Sequence, residues 1–235
     1  MTNTKISAVI ITHNEEENIA KCLSSLQGFD EIIVVDSGSN DKTIEISKSH
    51  GAKVIHQKWL GFGPQKKFAV SQAKNDWVLS IDADEYLTNK SRSSIFSTDL
   101  IDPKIAYSIN RRSFFLGKEV KFSGWNPDWV IRLFNRNEAN FTDDLVHERV
   151  VGFATINKLD SLMFHNTYST LQDIKLKTKK YGLLGQISRK QNKNRYLSAT
   201  WAFLRTYIFM GGFLDGQTGF KIAIMNAKTT FIKYS

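Results

Sequence analysis

Carboxylates that follow an apolar run are the residues of this chain best suited to chemistry. Asp82 and Asp84 come directly after residues 77–81, whose apolar character predicts a buried strand, and Asp36 ends another such run about 45 residues earlier. Carboxylates are hard oxygen ligands for Mg²⁺ or Mn²⁺, and these ions bind diphosphates. An isolated Asp-x-Asp is also typical of a solvated turn. Ligands of open α/β sheets bind beyond the carboxyl ends of the strands, so the two aspartate-ended strands favour the metal hypothesis.

Such carboxylates need neighbouring strands that end at one edge of a sheet, and the N-terminal part of the chain has that pattern. Strands are predicted at residues 6–12, 31–36, 53–55 and 77–81. Helices are predicted between them at residues 18–26, 42–50 and 65–73. Asn14 is a candidate cap for the first helix. Strands that alternate with helices indicate βαβ units and an α/β fold with a parallel sheet.

Beyond Asp84 the pattern changes. Strands are predicted at residues 106–110 and 130–134, with an aromatic loop between them. Residues 170–195 predict a basic helix. Residues 197–214 are aromatic with flanking Lys and Arg, which predicts an interfacial helix on anionic lipid or, alternatively, a helix packed on the domain. The glycines at 211, 212 and 216 predict a turn that folds the last helix back.

Length, cysteine content and charge restrict the class of protein. The 235 residues suit one large domain or a domain with an appendage, and the single cysteine excludes a disulfide framework and fits a reducing cytosol. No signal peptide is expected, because residues 1–8 lead straight into the first strand, and no apolar run reaches the roughly 20 residues that span a bilayer.

The net charge is +9, and only Asp173 and Asp215 are acidic beyond Phe164. A basic segment of this kind attracts nucleic acid, acidic lipid or phosphate.

Three motifs in chain order carry a resemblance to a known family. They are Ile-Ser-Ala-Val-Ile-Ile-Thr-His-Asn-Glu-Glu at residues 6–16, Val-Val-Asp-Ser-Gly-Ser-Asn-Asp-Lys-Thr at 34–43, and Asp-Ala-Asp at 82–84. They resemble the first strand, the second strand with its turn, and the metal-binding Asp-x-Asp of family-2 glycosyltransferases, which have the GT-A fold. Residues 124–127, 132–134 and 146–148 are similar to a bacterial subgroup, the lipopolysaccharide inner-core β-1,4-glucosyltransferases.

The resemblance implies an inverting, metal-dependent transfer of a hexose, glucose from UDP-glucose, onto a sugar of a lipid-linked acceptor such as the lipopolysaccharide core. It implies a GT-A domain over residues 1–165, a mostly parallel sheet flanked by helices, and a basic, aromatic helical extension over residues 166–235. The expected partners are a nucleotide-sugar donor, a glycolipid acceptor and the inner face of the cytoplasmic membrane, with no nucleic acid. The expected location is cytoplasmic and peripheral to the inner membrane.

The resemblance also assigns a set of residues to the donor. They are Thr12, Asn14, Glu15, Asp36, Ser37, Lys66, Asp82 and Arg132. Asp36 is alternatively a turn residue that binds its own backbone. Ser37 stands where the family often has a second aspartate on the pyrimidine base, and its hydroxyl can still hydrogen-bond the base. Lys66 stands where the family commonly has Arg, and it supplies a point charge but not the planar pair of donors of a guanidinium. Alternatively, Lys66 and Lys67 belong to a solvated helix face. Arg132 is suited to a phosphate of donor or acceptor.

An acidic cluster is implied to supply the base that inverting transfer needs to deprotonate the acceptor hydroxyl. The candidates are Glu148, then Asp144, then Asp143, because the familiar Glu-Asp form of the family motif is absent. The alternative interpretation of this cluster is a solvated loop.

The implied metal ligands are Asp84, Asp82 and His147, and the ion is Mg²⁺ or Mn²⁺. His147 is otherwise a phosphate ligand or a packed imidazole, and His165 is expected to be a core or turn histidine, with metal contact as its alternative. Trp125 and Trp129 are candidates for stacking on the acceptor sugar, with core packing as the alternative.

Two other functions are compatible with parts of the sequence. A nucleotidyltransferase shares a nucleotide-binding α/β sheet and bound Mg²⁺, but it usually has a glycine-rich loop after the first strand, where this chain has Thr-His-Asn-Glu-Glu. A non-catalytic basic module for nucleic acid or membrane agrees with the charge. It leaves the Asp-x-Asp motif without a role.

Overall fold

The computed structural model of the protein describes residues 4–145, 147–188 and 193–235. Val146, which belongs to one family-like motif, and residues 189–192, which belong to the predicted basic helix, lie outside the described residues. The chain divides into two compact units. The first unit comprises the residues up to Arg111 together with Trp129–His165, and the second comprises Arg112–Asp128 together with Asn166–Ser235.

Eleven strands and seven α-helices follow one another along the described part of the chain. They are β1 (Ile6–Thr12), α1 (Ile19–Ser25), β2 (Glu31–Asp36), α2 (Thr43–Ser49), β3 (Lys53–His56), α3 (Phe62–Ser71), β4 (Trp77–Asp82), β5 (Glu85–Leu87), α4 (Asn89–Ser97), β6 (Ile105–Phe115), β7 (Lys118–Glu119), β8 (Trp129–Asn135), β9 (Asn140–Phe141), β10 (Val150–Val151), β11 (Thr155–Tyr168), α5 (Leu171–Ser188), α6 (Arg195–Leu204) and α7 (Gln217–Lys233). A π-helical turn, Arg205–Phe209, and a 3-10 turn, Gly212–Asp215, lie between α6 and α7.

The main sheet has the strand order β3-β2-β1-β4-β8-β6-β11-β5, with β7 paired to β6. Its first four strands are parallel, whereas β8 joins β4 antiparallel and β5 joins β11 antiparallel. The α/β fold expected from the sequence is confirmed. The sheet is mixed, because the strands that follow Asp84 join it in antiparallel pairs.

Both faces of the central strand β1 are buried. Ile6, Ala8 and Ile10 belong to one hydrophobic cluster, and Val9 and Ile11 belong to another. Alternate side chains of a strand point to opposite faces, so a strand covered on both sides has no polar alternation. This is why the first four strands could be recognised as apolar runs, and why their carboxyl ends share one edge.

The predicted capping role of Asn14 is wrong. Helix α1 begins at Ile19, four residues later than a cap at Asn14 requires, and the first N–H groups donate to the carbonyl of Glu15. Asn14 has a left-handed φ of 55°. Its side-chain oxygen accepts the N–H of Asn40 at 2.9 Å, and its own N–H donates to Ser39 Oγ at 2.8 Å. Asn14 therefore holds the loops after β1 and β2 together.

Among the described residues of the first unit, five elements were not predicted: β5, α4, β9, β10 and the part of β11 up to His165. Strand β5 has only three residues. Helix α4 begins at Asn89 and is capped by Thr88, whose hydroxyl accepts the N–H of Ser91 at 3.0 Å. Strand β11 has fourteen residues, but its N-terminal half is largely exposed and polar. Such strands form by pairing with distant partners, so their local sequence carries little signal.

The second unit contains the C-terminal helices. Within the described residues, the predicted basic helix corresponds to α5, and Asn194 caps a separate helix, α6: its side chain accepts the N–H groups of Tyr196 and Leu197. Gly211 and Gly216 have positive φ values of 68° and 60°, and α7 packs against both α5 and α6. The predicted turn that folds the last helix back is confirmed. None of the described helices combines the length and the apolar composition that crossing a membrane requires.

Asp215 joins the two sequence segments of the second unit. Its carboxylate accepts the N–H groups of Lys121 and Phe122 and the hydroxyl of Ser123. We expect Asp215→Ala to destabilise the protein by about 1–3 kcal/mol, because those donors lose their acceptor. A thermal melt should show a fall in Tm of roughly 2–4 °C per kcal/mol. The exposed Glu45→Ala is the matched control, and an equal Tm for the two variants would contradict this role of Asp215.

Candidate active site

Asp82 is held between two cationic side chains at the carboxyl end of β4. The Nζ of Lys66, on α3, lies 2.9 Å from Asp82 Oδ1. The Nη2 of Arg132, on β8, donates to Asp82 Oδ2 at 2.7 Å. Both cationic side chains are almost fully buried. Burial alone raises the pKa of Asp82, but Arg132 and Lys66 outweigh it and hold that pKa well below its usual range. Asp82 is therefore an anion with a cation at each oxygen.

Glu85 is the buried anchor of this network. Its side chain is fully buried, and Oε1 accepts hydrogen bonds from Arg132 at 2.5 Å and from Arg111 at 3.1 Å. Oε2 accepts the backbone N–H of Asp82 at 3.1 Å. Glu85 thus fixes both the turn after β4 and the guanidinium that pairs with Asp82. Glu85 was not among the residues predicted for the site, although its position directly after the Asp-x-Asp motif was the available signal.

Glu148 reaches the same network through Lys66, whose Nζ donates to Oε1 at 2.7 Å. The loop before Glu148 docks on the start of α3, where the N–H of Gly63 donates to the carbonyl of Asp144 at 3.1 Å. A Cβ on Gly63 would lie 2.2 Å from the carbonyl oxygen of Thr142, so only glycine permits this approach. Gly63 therefore allows the acidic loop to bring Glu148 to Lys66.

The other members of the predicted acidic cluster lie at the surface. Asp143 pairs with Lys67 at 2.7 Å and its side chain is 77% exposed. Asp144 accepts the hydroxyl of Thr142 at 2.7 Å. His147 is exposed with a φ of 66°, and its ring makes no hydrogen bond to any residue that the structure describes. Within the described part of the cluster, Glu148 is the carboxylate that contacts the Asp82 network.

Asp84 faces His165 rather than His147. An Asp84 Oδ2 lies 3.2 Å from His165 Nε2, and both side chains are mostly buried. Burial lowers the pKa of the His165 imidazole, but Asp84 outweighs it, and the pKa lies above its ordinary value. The pair results from the pairing of β11 with β5, which places His165 opposite Glu85. His165 was expected to be a core or turn histidine, with metal contact as the alternative, because local patterns do not predict β11.

The predicted donor residues at the ends of β1 and β2 are close together. Ser37 donates its N–H to the carbonyl of Thr12 at 3.0 Å, and its hydroxyl accepts from the buried Gln65 at 3.2 Å. The hydroxyl of Thr12 is buried without a hydrogen-bond partner among the described residues. Gln65 was not predicted, since a single glutamine in a helix carries no distinctive signal.

Asp36 and Glu15 organise the loops of this edge. The carboxylate of Asp36 accepts the N–H groups of Gly38 and Ser39 at 2.8 and 3.0 Å, which is the turn role that the sequence left open. Glu15 accepts a hydrogen bond from the side chain of Asn18 at 2.8 Å, and its N–H donates to Thr43 Oγ1 at 2.7 Å.

The two predicted acceptor tryptophans belong to different units. Trp125 packs in the second unit with its ring centroid 6.2 Å from the centroids of both Phe115 and Tyr168. Trp129 is exposed in the first unit, with Lys158 Nζ 4.8 Å from its ring centroid.

An exposed aromatic pair, which the sequence analysis did not single out, lies beside the acidic loop. The ring centroids of Trp59 and Phe62 are 4.9 Å apart, and the Phe62 N–H donates to the carbonyl of Leu145 at 3.2 Å.

Comparison with known proteins decides the family. The family model described as Glycosyl transferase family 2 matches residues 7–161, which is more than half of the chain. The chain belongs to family 2 of the glycosyltransferases. This membership favours glycosyl transfer over nucleotidyl transfer and over a non-catalytic basic module.

Relatives of this glycosyltransferase align along most of their length. It is 34% identical to an uncharacterized glycosyltransferase of Rickettsia typhi, over 97% of this chain and 85% of the relative. It is 28% identical to the lipopolysaccharide core biosynthesis glycosyltransferase LpsC of Rhizobium meliloti, over 98% of this chain and 93% of the relative.

Solved structures of lower similarity also match. The structure of S. aureus TarS 1-349 in complex with UDP-GlcNAc is 16% identical, with a TM-score of 0.49 over 94% of this chain and 79% of that one. The longer S. aureus TarS structure is 17% identical, with a TM-score of 0.47. The match covers 89% of this chain and 45% of that one.

The buried charges of the glycosyltransferase should be sensitive to the loss of one partner. We expect Arg132→Met to destabilise the fold by about 3–5 kcal/mol, because it leaves Asp82 and Glu85 without their shared cation. Urea unfolding of the purified variant measures this. Adding Glu85→Gln should recover part of the loss, since it removes a buried negative charge that Arg132 no longer neutralises and for which Arg111 is the remaining cation.

The matched control is Lys67→Met, which breaks the exposed pair with Asp143 and should cost less than about 1 kcal/mol. If Arg132→Met were no more destabilising than Lys67→Met, the network would not be a structural element of the site.

Proposed function

We propose that this glycosyltransferase transfers a hexose, glucose from UDP-glucose, with inversion to a sugar of a lipid-linked acceptor such as the lipopolysaccharide core. The observation that carries the proposal is the convergence of Asp82, Lys66 and Glu148 at the carboxyl end of β4, beside Asp84. This is the edge at which ligands of open α/β sheets bind. The similarity to LpsC over nearly the full length supports the lipopolysaccharide acceptor.

Asp84 and His165 are the residues that would hold the divalent ion. The chemistry of the two donors fits: a carboxylate and an imidazole approach each other in a mostly buried position, and Mg²⁺ sites of phosphate-transfer enzymes use one or two protein carboxylates with substrate phosphates. The described residues contain no cluster of three or more acidic, histidine or cysteine ligands, so the diphosphate would complete the site. When bound, the ion would stabilise the negative charge of the leaving diphosphate as a Lewis acid.

Asp82 takes a different role in this proposal from the metal contact expected at first. Lys66 and Arg132 engage its two oxygens, so it orients those cations at the edge of the donor pocket. His147, the third predicted ligand, lies exposed on the acidic loop and is not part of the proposed pair.

Glu148 acts as the general base in the proposed single displacement. Its carboxylate accepts the proton of the acceptor hydroxyl, the hydroxyl oxygen bonds to the anomeric carbon, and the bond from that carbon to the diphosphate oxygen breaks on the opposite face. Lys66 positions the carboxylate by its 2.7 Å contact. Asp143 and Asp144 remain the second choices, because both lie on the surface of the same loop.

Thr12, Ser37 and Gln65 form the proposed nucleoside end of the donor pocket. Ser37 and Gln65 supply hydroxyl and amide groups suited to a pyrimidine edge, and the Thr12 hydroxyl has unused hydrogen-bonding capacity among the described residues. Asn14, Glu15 and Asp36 support the loops that frame this end.

The acceptor is expected to enter beside the acidic loop. Trp129 and the pair Trp59 and Phe62 offer exposed aromatic faces in the first unit, and pyranoses present apolar C–H surfaces to such rings. Trp125 packs among aromatic residues in the second unit and is a weaker candidate for the acceptor.

We further propose that the protein works in the cytoplasm, peripheral to the inner membrane, without binding nucleic acid. The surface of α6 and the turns after it exposes Leu197, Trp201 and Phe209 by more than half of each side chain. Aromatic and aliphatic side chains with neighbouring basic residues are suited to the interface of an anionic membrane.

Donor and metal binding can be tested by thermal stabilisation with UDP-glucose, UDP-galactose, GDP-mannose and CTP, each with and without Mn²⁺. We expect the largest increase in Tm with UDP-glucose and Mn²⁺, because an ion held by Asp84 and His165 would add its attraction to the charge of the diphosphate. Asp84→Asn and His165→Gln should lose the Mn²⁺-dependent part. The exposed Asp160→Asn is the control that should keep it. Stabilisation by CTP alone, or an undiminished Mn²⁺ effect in Asp84→Asn, would contradict the proposal.

The role of Glu148 predicts that Glu148→Gln lowers kcat by roughly 10²-fold or more, since the amide cannot accept the acceptor proton. Steady-state kinetics should show a smaller change in the KM for the donor. Asp143→Asn, which removes an exposed carboxylate of the same loop, should retain near-normal turnover. Normal turnover in Glu148→Gln together with a large loss in Asp143→Asn or Asp144→Asn would assign the base to those residues instead.

A further inference from the structure

A cavity of about 630 Å³ lies between α5 and α7 in the second unit. Its wall is mainly aliphatic and aromatic, with Ile174 and Leu183 from one helix and Ile224 and Phe231 from the other. The volume is within the roughly 300–1,000 Å³ of small-molecule sites. An apolar cavity of this size, well away in sequence from the Asp-x-Asp motif, has no role in the reaction proposed above.

Four lysines contribute to the wall of this cavity: Lys175, Lys179, Lys221 and Lys228. Two belong to α5 and two to α7, and all four are exposed. None of them forms an ion pair with a carboxylate that the structure describes. A lysine can lay its methylene chain along an apolar wall while its ammonium group stays in water. The cavity therefore combines an apolar interior with a rim of one sign of charge.

Thr178 provides a polar group inside the same wall. The residue is buried, and its hydroxyl has no hydrogen-bond partner among the described residues.

We infer that this cavity between α5 and α7 binds the acyl chain of an anionic membrane phospholipid, with the headgroup phosphate at the four lysines. Charge complementarity selects the anion, because residues 166–235 contain twelve Lys and Arg but only two Asp. The apolar interior selects a chain, since a free phosphate or a nucleic-acid backbone would leave it unfilled. The site is distinct from the exposed surface of α6 and does not depend on glycosyl transfer.

The inference can be tested on the full chain with a single-chain probe, lysophosphatidylglycerol, below its micelle concentration. We expect saturable binding by calorimetry and a rise in Tm. Lysophosphatidylcholine with the same chain should bind at least tenfold more weakly, because its headgroup carries no net charge. Glycerol phosphate and inorganic phosphate should give no rise in Tm. Equal effects from the chain-free phosphates, or from the two lysolipids, would overturn the inference.

Variants locate the binding site. Replacing Lys175, Lys179, Lys221 and Lys228 by Gln should weaken binding at least tenfold, because the cations that attract the anionic headgroup are removed. The matched control replaces four exposed lysines of the first unit, Lys5, Lys48, Lys53 and Lys104, and changes the net charge equally. Ile224→Trp should block the chain, with a melt of the unliganded protein to verify folding. Equal weakening by the control set would show that only net charge matters and would overturn the site.

Further experiments distinguish lipid binding in this cavity from membrane binding by α6 and from donor binding at Asp84. Trp201→Gln with Phe209→Gln should weaken binding to phosphatidylglycerol vesicles but leave the affinity for the monomeric lysolipid unchanged. Asp84→Asn should bind the lysolipid normally even if it loses donor binding. A photoreactive acyl probe should label peptides from α5 or α7, and labelling confined to α6 would overturn the assignment.

Discussion

The arrangement of the site depends on a buried ion network at the carboxyl end of β4. Three carboxylates, those of Asp82, Glu85 and Glu148, alternate with three cations, those of Lys66, Arg111 and Arg132. Removing such charges from water is costly, and the cost is offset only when each group is paired in good geometry. The network therefore fixes the relative positions of α3, β4, β5, β6 and β8, and with them the position of the Asp-x-Asp motif.

The charge balance within this network bears on how a diphosphate could be bound. The three anions neutralise the three cations, so Lys66 and Arg132 offer little surplus positive charge to a donor. A second source of positive charge is needed near Asp84, and a divalent ion on Asp84 and His165 would supply it. The charge balance is therefore a physical reason for including a metal in the proposed reaction.

The sequence predicts the first half of the site better than the second. Strands β1 to β4 are recognisable because burial on both faces makes them apolar runs, and the aspartates at their ends follow directly. The contacts of those aspartates are not recognisable. Lys66 and Glu148 are 82 positions apart, and Asp84 and His165 are 81 apart. Such pairs arise from strand pairing and loop docking, for which Gly63 is a requirement that local patterns do not reveal.

The second unit adds a constraint of a different kind. A lipid-linked acceptor is confined to a membrane surface, so an enzyme that stays near that surface meets it at a higher effective concentration. In the proposals above, the exposed apolar side chains of α6 would associate with the membrane interface, and the lysine-rimmed cavity between α5 and α7 would bind a single lipid. One weak anchor gives only reversible binding, whereas two together give stable association. On these proposals the excess of basic residues over acidic ones in this unit serves the anionic lipid surface rather than the chemistry at Asp84.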